Sequence, residues 1–106
     1  MNQSDIRRHE RILVPGVRQI RAVSNGNGPR LEGVVTVIGL GGMFIRTRTS
    51  CSAGSVLNMV LSCSFLSFES ECTVRYADAH GIGVEVTRLT AENEQKLKTL
   101  LIQLRA

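Results

Sequence analysis

Residues 33 to 48 read Gly-Val-Val-Thr-Val-Ile-Gly-Leu-Gly-Gly-Met-Phe-Ile-Arg-Thr-Arg, and this stretch decides the fold. Gly33 to Ile38 is crowded with β-branched residues, whose stiff side chains suit a pleated strand. Met43 to Arg48 resumes the extended pattern, with Met43, Ile45 and Thr47 on one face and Phe44, Arg46 and Arg48 on the other. Between the two runs stands Gly39-Leu40-Gly41-Gly42, which fits a tight turn or bulge. Missing side chains also let a flat ligand approach the backbone. A dinucleotide fingerprint fits poorly, because Phe44 occupies the third glycine position and a strand rather than a helix follows.

The same pattern continues on both sides. Val17 to Val23 predicts a strand, and Asn25-Gly26-Asn27-Gly28-Pro29 predicts a turn or loop. Leu57, Met59, Leu61 and Cys63 alternate along another strand. Cys72, Val74 and Tyr76 alternate next, with Glu71, Thr73 and Arg75 outward, and Ile82, Val84 and Val86 follow. About six short strands at regular spacing predict an all-β sandwich or barrel. Leu97, Leu100, Leu101 and Leu104 switch to the spacing of an amphipathic helix. Thr90 suits its N-cap, and Glu92, Glu94 and Arg105 suit its dipole. The leucine stripe is expected to close a core at an open barrel end. The organisation expected is one domain over residues 1–106: an arginine arm at 1–14, a barrel at 15–88 and a helix at 90–105.

The composition supports a single globular domain. At 106 residues, 42% hydrophobic and 21% charged, the chain resembles neither a disordered nor a fibrous protein. A chain of this size buries roughly two-thirds of its unfolded surface, enough for a core without disulfides or metal. No apolar run approaches the ~18 residues of a membrane span. The start, MNQSDIRRHER, lacks the apolar region of a signal peptide. Cytoplasmic residence is the expectation.

Charge is less evenly spread. The net charge of +4 lies in the first thirty residues, where Arg7, Arg8, Arg11, Arg18, Arg21 and Arg30 face only Asp5 and Glu10. Residues 31–106 balance seven basic against seven acidic side chains. Guanidinium groups present planar, permanently charged forks suited to phosphates and guanine edges. An arginine-rich arm is commonly just solvated. Three arginines in the five residues Arg7 to Arg11, without lysine, better suit geometric recognition of an anion.

Catalysis has little to work with. His9 and His80 are far apart, and His80 follows Asp78 in an expected hairpin turn. Cys63 and Cys72 fall on apolar strand faces, as small buried hydrophobes do. Cys51 falls in a polar loop, where exposure is expected. The three cysteines form no CxxC pair, which disfavours zinc and a disulfide framework. No enzyme activity, metal or cofactor is expected.

Arg7-x-x-x-Arg11, then Val37-Ile38-Gly39-Leu40-Gly41-Gly42-Met43-Phe44-Ile45, then Gly81-Ile82-Gly83-Val84-Glu85-Val86 and the closing helix together resemble the PilZ domain. The two signatures of that family are RxxxR and (D/N)xSxxG. The resemblance implies a six-stranded antiparallel barrel with a C-terminal helix. It also implies a receptor for bacterial cyclic di-GMP, a second messenger of motility and biofilm formation. By the same resemblance Arg7 and Arg11 grip guanine edges and phosphates, and Arg8 is an auxiliary contact. Gly42 matches the motif glycine, and Gly39 and Gly41 belong to the same ligand-facing turn. A protein effector in a motility, pilus or exopolysaccharide pathway is the partner implied.

Two positions depart from the pattern. Val37 stands in place of Asp or Asn, and Gly39 in place of Ser. A guanine donor left unsatisfied costs about 1–3 kcal/mol and a lost hydroxyl about 1 more. Uncompensated, the two weaken binding on the order of 30- to 1,000-fold. An adaptor that has lost the ligand and acts by protein contact is therefore the second reading. A third, an oligonucleotide-binding barrel, would stack bases on Phe44, Phe65, Phe68 or Tyr76, and ranks below both.

Overall fold

The computed structural model describes residues 10–26 and 30–105. Seven strands and one helix follow in order: β1 Ile12–Leu13, β2 Ile20–Ser24, β3 Glu32–Ile38, β4 Gly42–Arg46, β5 Val56–Ser62, β6 Ser67–Ala77, β7 Gly81–Arg88 and α1 Ala91–Arg105. All pairings are antiparallel, in the order β1-β3-β2-β5-β6-β7-β4. An additional β3–β4 pairing closes strands β2 to β7 into a six-stranded barrel. The expected barrel with a C-terminal helix is therefore present, with one extra short strand.

That extra strand corrects the reading of the N-terminal segment. Val17 does not open a strand, because Pro15 and a turn of 3₁₀ helix at Gly16–Arg18 interrupt the chain there. Pro15 lacks the N–H that a continuous ladder needs. β1 and β2 consequently lie one after the other along the same edge of β3. Leu13 pairs with Val37 near one end, and Ile20 with Val35 beyond the interruption. Val14 N–H adds a bond to the Thr36 carbonyl at 2.9 Å.

The barrel interior takes the alternate residues. Ile20, Ala22, Ile38, Ile45, Leu61, Cys72 and Val74 are fully buried, and Leu97, Leu100 and Leu101 of α1 join the same cluster. The helix packs against β6 and reaches β1. Its start is fixed by polar groups. Thr90 Oγ1 accepts from the Asn93 backbone N–H at 3.1 Å, while Asn93 Oδ1 accepts from the Glu69 N–H of β6 at 3.0 Å. A cap of this kind contributes about 1 kcal/mol and here also ties the helix to the sheet. At the far end Arg18 donates to the Gln103 carbonyl, one of the acceptors the helix leaves unpaired.

Tyr76 and Cys51 lie where the sequence did not put them. Tyr76 is 53% exposed, because a bulge between Val74 and Tyr76 shifts the register of β6 against β7. The extra residue, Arg75, turns the following side chain to the outer face. Cys51 is buried, although its loop is polar in sequence. Burial raises its thiol pKa, and raises that of Cys72 to about 11 despite a hydrogen bond from Ser70.

Candidate ligand-binding site

Strand register alone brings the site together. Directly opposed residues on antiparallel strands share a face. Ile12, Ile38, Met43, Val84 and Val74 stand opposite one another across five strands and point into the core. One position along, and two on β6 because of its bulge, Leu13, Val37, Phe44, Gly83 and Tyr76 form the neighbouring row on the outer surface. Gly83 is the gap in that row. A Cβ there would collide with the Tyr76 ring, so the glycine lets Tyr76 lie flat across β7. Its centroid is then 6.2 Å from that of Phe44, with the rings tilted by 34°. Such an aromatic pair is worth about 0.5–1.5 kcal/mol beyond its burial.

Beside this row lies an open cleft of 310 Å³, bordered by Arg11, Gly41, Arg75, Tyr76, Gly83 and Glu85. Glu85 is on β7 opposite Gly42. Arg75 Nε donates to Glu85 Oε1 at 2.6 Å. Both side chains are more than a third exposed, so the pair adds at most about 1 kcal/mol. It does hold a carboxylate and a guanidinium at the rim. Arg11 comes from the other side, carried by the residue that precedes β1. A Cβ placed on Gly42 would lie 3.6 Å from Arg11 Nη2 and 2.5 Å from the Val84 carbonyl, so the guanidinium rests over bare backbone.

The sequence-predicted residues are distributed as follows. Arg11 and Gly41 border the cleft, and Gly42 is buried beneath the Arg11 guanidinium. Gly39 is buried under the arm, and its N–H donates to the Gly42 carbonyl at 2.9 Å, closing the turn. Gly41 accepts from Val86 N–H at 3.0 Å, which pins the turn to β7. Val37 lies half-buried between Leu13 and Phe44. Arg7, Arg8 and His9 lie outside the described residues. His80 sits at a tight turn where Asp78 Oδ1 accepts its backbone N–H at 2.8 Å. Two of the six N-terminal arginines have structural work instead: Arg18 on the helix end and Arg21 with Glu32 at 3.0 Å.

Sequence reasoning missed Tyr76, Arg75 and Glu85 as members of this site. Glycine at position 83, between Ile82 and Val84 inside a strand, was the available signal, since a strand glycine often marks close approach by another group.

No described helix is long and apolar enough to cross a membrane. No curated protein matches the sequence significantly. Two solved structures share the fold. The crystal structure of an uncharacterised Legionella protein is 20% identical, covering 92% of this chain and 95% of its own, with a TM-score of 0.65. The Bacillus subtilis inhibitor of motility, MotI/DgrA, is 17% identical, covering 94% of this chain and 52% of its own, with a TM-score of 0.67. The profile of the PilZ domain matches residues 5–103, and with the closed barrel, the extra strand and the terminal helix already in place, the chain belongs to the PilZ domain family.

Proposed function

We propose that this domain is a receptor for cyclic di-GMP that passes ligand binding to a protein partner, with two of the family's ligand-facing side chains replaced at Val37 and Gly39. The observation that carries the reading is Arg11, whose guanidinium borders the same cleft as the Tyr76 ring and the Glu85 carboxylate. Each offers what a guanine nucleotide needs. A guanidinium donates to guanine O6 and N7 or to a phosphate. An exposed aromatic face stacks a base for about 1–3 kcal/mol. A carboxylate accepts the N1 and N2 donors of guanine, which Val37 cannot do. Arg7 and Arg8 supply further cations along the arm, and Gly41 and Gly42 keep the floor low. The cleft is at the small end of the ~300–1,000 Å³ typical of ligand sites, so part of a dinucleotide would lie over the open face.

The reading needs no cofactor and no nucleophile. Its partner is a protein effector of a motility, pilus or exopolysaccharide pathway, a choice favoured by the shared fold of the motility inhibitor. The test is a calorimetric titration with cyclic di-GMP at about 100 µM protein, sensitive to micromolar affinities. Saturable heat that falls tenfold or more in affinity with Arg11→Ala is expected. An absence of heat at that concentration ends the receptor reading.

One observation favours a second reading. Leu13, Val37 and Phe44 make a continuous apolar strip on the outer surface, with Leu13 78% exposed. A domain that had lost the ligand could use that strip against a protein. On this view the wild type stays silent in the titration, while Val37→Asp gains binding.

A further inference from the structure

We propose that Gly39 is a positioning residue for Arg11: its missing side chain is the seat in which the arm lies before any ligand arrives. The proposal rests on the receptor reading for its functional meaning, and on geometry for the seat itself.

Gly39 follows the last residue of β3, and nothing in its own backbone demands glycine. Positive φ among the described residues is confined to Gly26 and Gly54, so the turn at 39 would accept an ordinary residue. The demand comes from the arm. A Cβ on Gly39 would fall far inside contact distance of the Glu10 carbonyl oxygen, and 3.4 Å from Arg11 Cδ. The same bare patch thus receives the backbone of Glu10 and the aliphatic stem of Arg11. Gly42 then accommodates the head of that side chain, 3.6 Å from Nη2 to the position of its absent Cβ.

Three further contacts hold the arm down at this place. β1 pairs Ile12 with Ile38 and Leu13 with Val37, in direct continuation of Arg11. Val14 N–H bonds the Thr36 carbonyl at 2.9 Å. Glu10 reaches the other way, to Arg105 of α1 at 3.4 Å. Arg11 is therefore fixed between two anchored neighbours and delivered to the cleft.

This gives the departure from serine at position 39 a physical reason. Serine would add a hydroxyl beneath a ligand, but its Cβ would lift Glu10 and carry Arg11 away. Glycine gives up the hydroxyl and keeps the arginine in place. The entropy of ordering Glu10 and Arg11 is then lost on folding and not on binding, which is how preorganisation raises affinity. Restoring the family serine should consequently weaken the site.

Trypsin acting on the ligand-free full chain reads the seat directly. Cleavage between Arg11 and Ile12, followed by mass spectrometry, should be about tenfold faster in Gly39→Ser than in wild type, a shift of the arm equilibrium by roughly one decade. Circular dichroism should show the barrel intact. Arg105→Ala loosens the arm from the helix side with the turn untouched, and should speed the same cleavage by a smaller factor, about two- to fivefold. In titrations with cyclic di-GMP, Gly39→Ser should bind about tenfold more weakly than wild type. In an Arg11→Ala background the same substitution should change affinity hardly at all, because its effect passes through that side chain.

Unchanged cleavage in Gly39→Ser overturns the seat whatever Arg105→Ala does, as does tighter binding by Gly39→Ser. Faster cleavage together with a wild type that binds no cyclic di-GMP keeps the seat and removes the receptor reading. The two failures are therefore told apart by separate measurements.

Discussion

Two neighbouring rows of side chains, carried by the same five strands, have opposite characters. Ile12, Ile38, Met43, Val84 and Val74 face inward, whereas Leu13, Val37, Phe44, Gly83 and Tyr76 face outward. In the inner row close packing allows only apolar side chains of matched volume. The outer row has no such constraint, and it contains an exposed leucine, a strand glycine, an aromatic pair and the valine that departs from the family motif. Strand pairing builds both rows. What differs is the requirement placed on the residues: close packing governs the inner row and leaves the outer row free.

Truncation should separate the rows most sharply. Ile38 is completely buried, so Ile38→Ala should cost about 2–5 kcal/mol, as lost transfer energy plus the cavity left behind. Leu13→Ala, at 78% exposure, should stay within about 0.5 kcal/mol. Urea denaturation of the two variants measures both. Equal losses would mean that β1 is part of the folding core and that the outer row is not a free surface.

The next effect is a pH dependence confined to the inner face. The Cys72 thiol is pushed up from 9.0 to about 11, first by burial, with Ser70 opposing and Glu71 adding. A raised folded-state pKa means that the unfolded thiol ionises first. Stability is therefore fully present below about pH 9 and is lost as pH rises towards 11, by roughly 3 kcal/mol at most. Cys72→Ala should remove that loss, so the difference between the wild-type and variant stability curves should shrink from pH 8.5 to 11. A constant difference across the window would show that the thiol does not titrate with unfolding. Thiol reagents at neutral pH should leave native Cys72 unmodified.

On the outer face the largest effect should be on binding. Tyr76→Ala removes the stacking surface and opens the space over Gly83, and should lower cyclic di-GMP affinity by about 2 kcal/mol, some 30-fold. Tyr76→Phe keeps the ring and should stay close to wild type. If the two variants bind alike and weakly, the hydroxyl rather than the ring face is what the ligand uses.

The contrast between the rows also explains what could be read from sequence. Most of the inner row was legible, because Met43, Val74 and Val84 each belong to an alternating run, and such alternation marks a strand with one face buried. The helix was equally legible from Leu97, Leu100, Leu101 and Leu104. Tyr76 was placed inside because alternation assumes an unbroken register, and the bulge at Arg75 breaks it. Bulges depend on how two strands match in length and twist, which one strand's sequence does not state. The arm failed for a similar reason: Ile12-Leu13-Val14 is too short to announce a strand, and only pairing with Val37 and Ile38 makes it one. Cys51 belongs with these, since its burial comes from neighbours distant in sequence.

The smallest effect tests the two departures from the family motif against each other. Val37 and Gly39 look alike as losses when read from sequence, yet they occupy different places. Val37 already carries a side chain, half-buried on the outer row, so Val37→Asp puts a carboxylate of similar size in its place and leaves Glu10 and Arg11 where they are. It should tighten cyclic di-GMP binding about tenfold, near 1.4 kcal/mol, one hydrogen-bonded guanine donor's worth. Gly39→Ser should act in the opposite direction by lifting the arm. A double variant carrying both should then bind about as weakly or as tightly as wild type, although it restores the whole motif. If it instead binds far more tightly than Val37→Asp alone, the serine hydroxyl outweighs the seat. The site would then be short of two ligand contacts, and Gly39 would have no compensating role in holding Arg11.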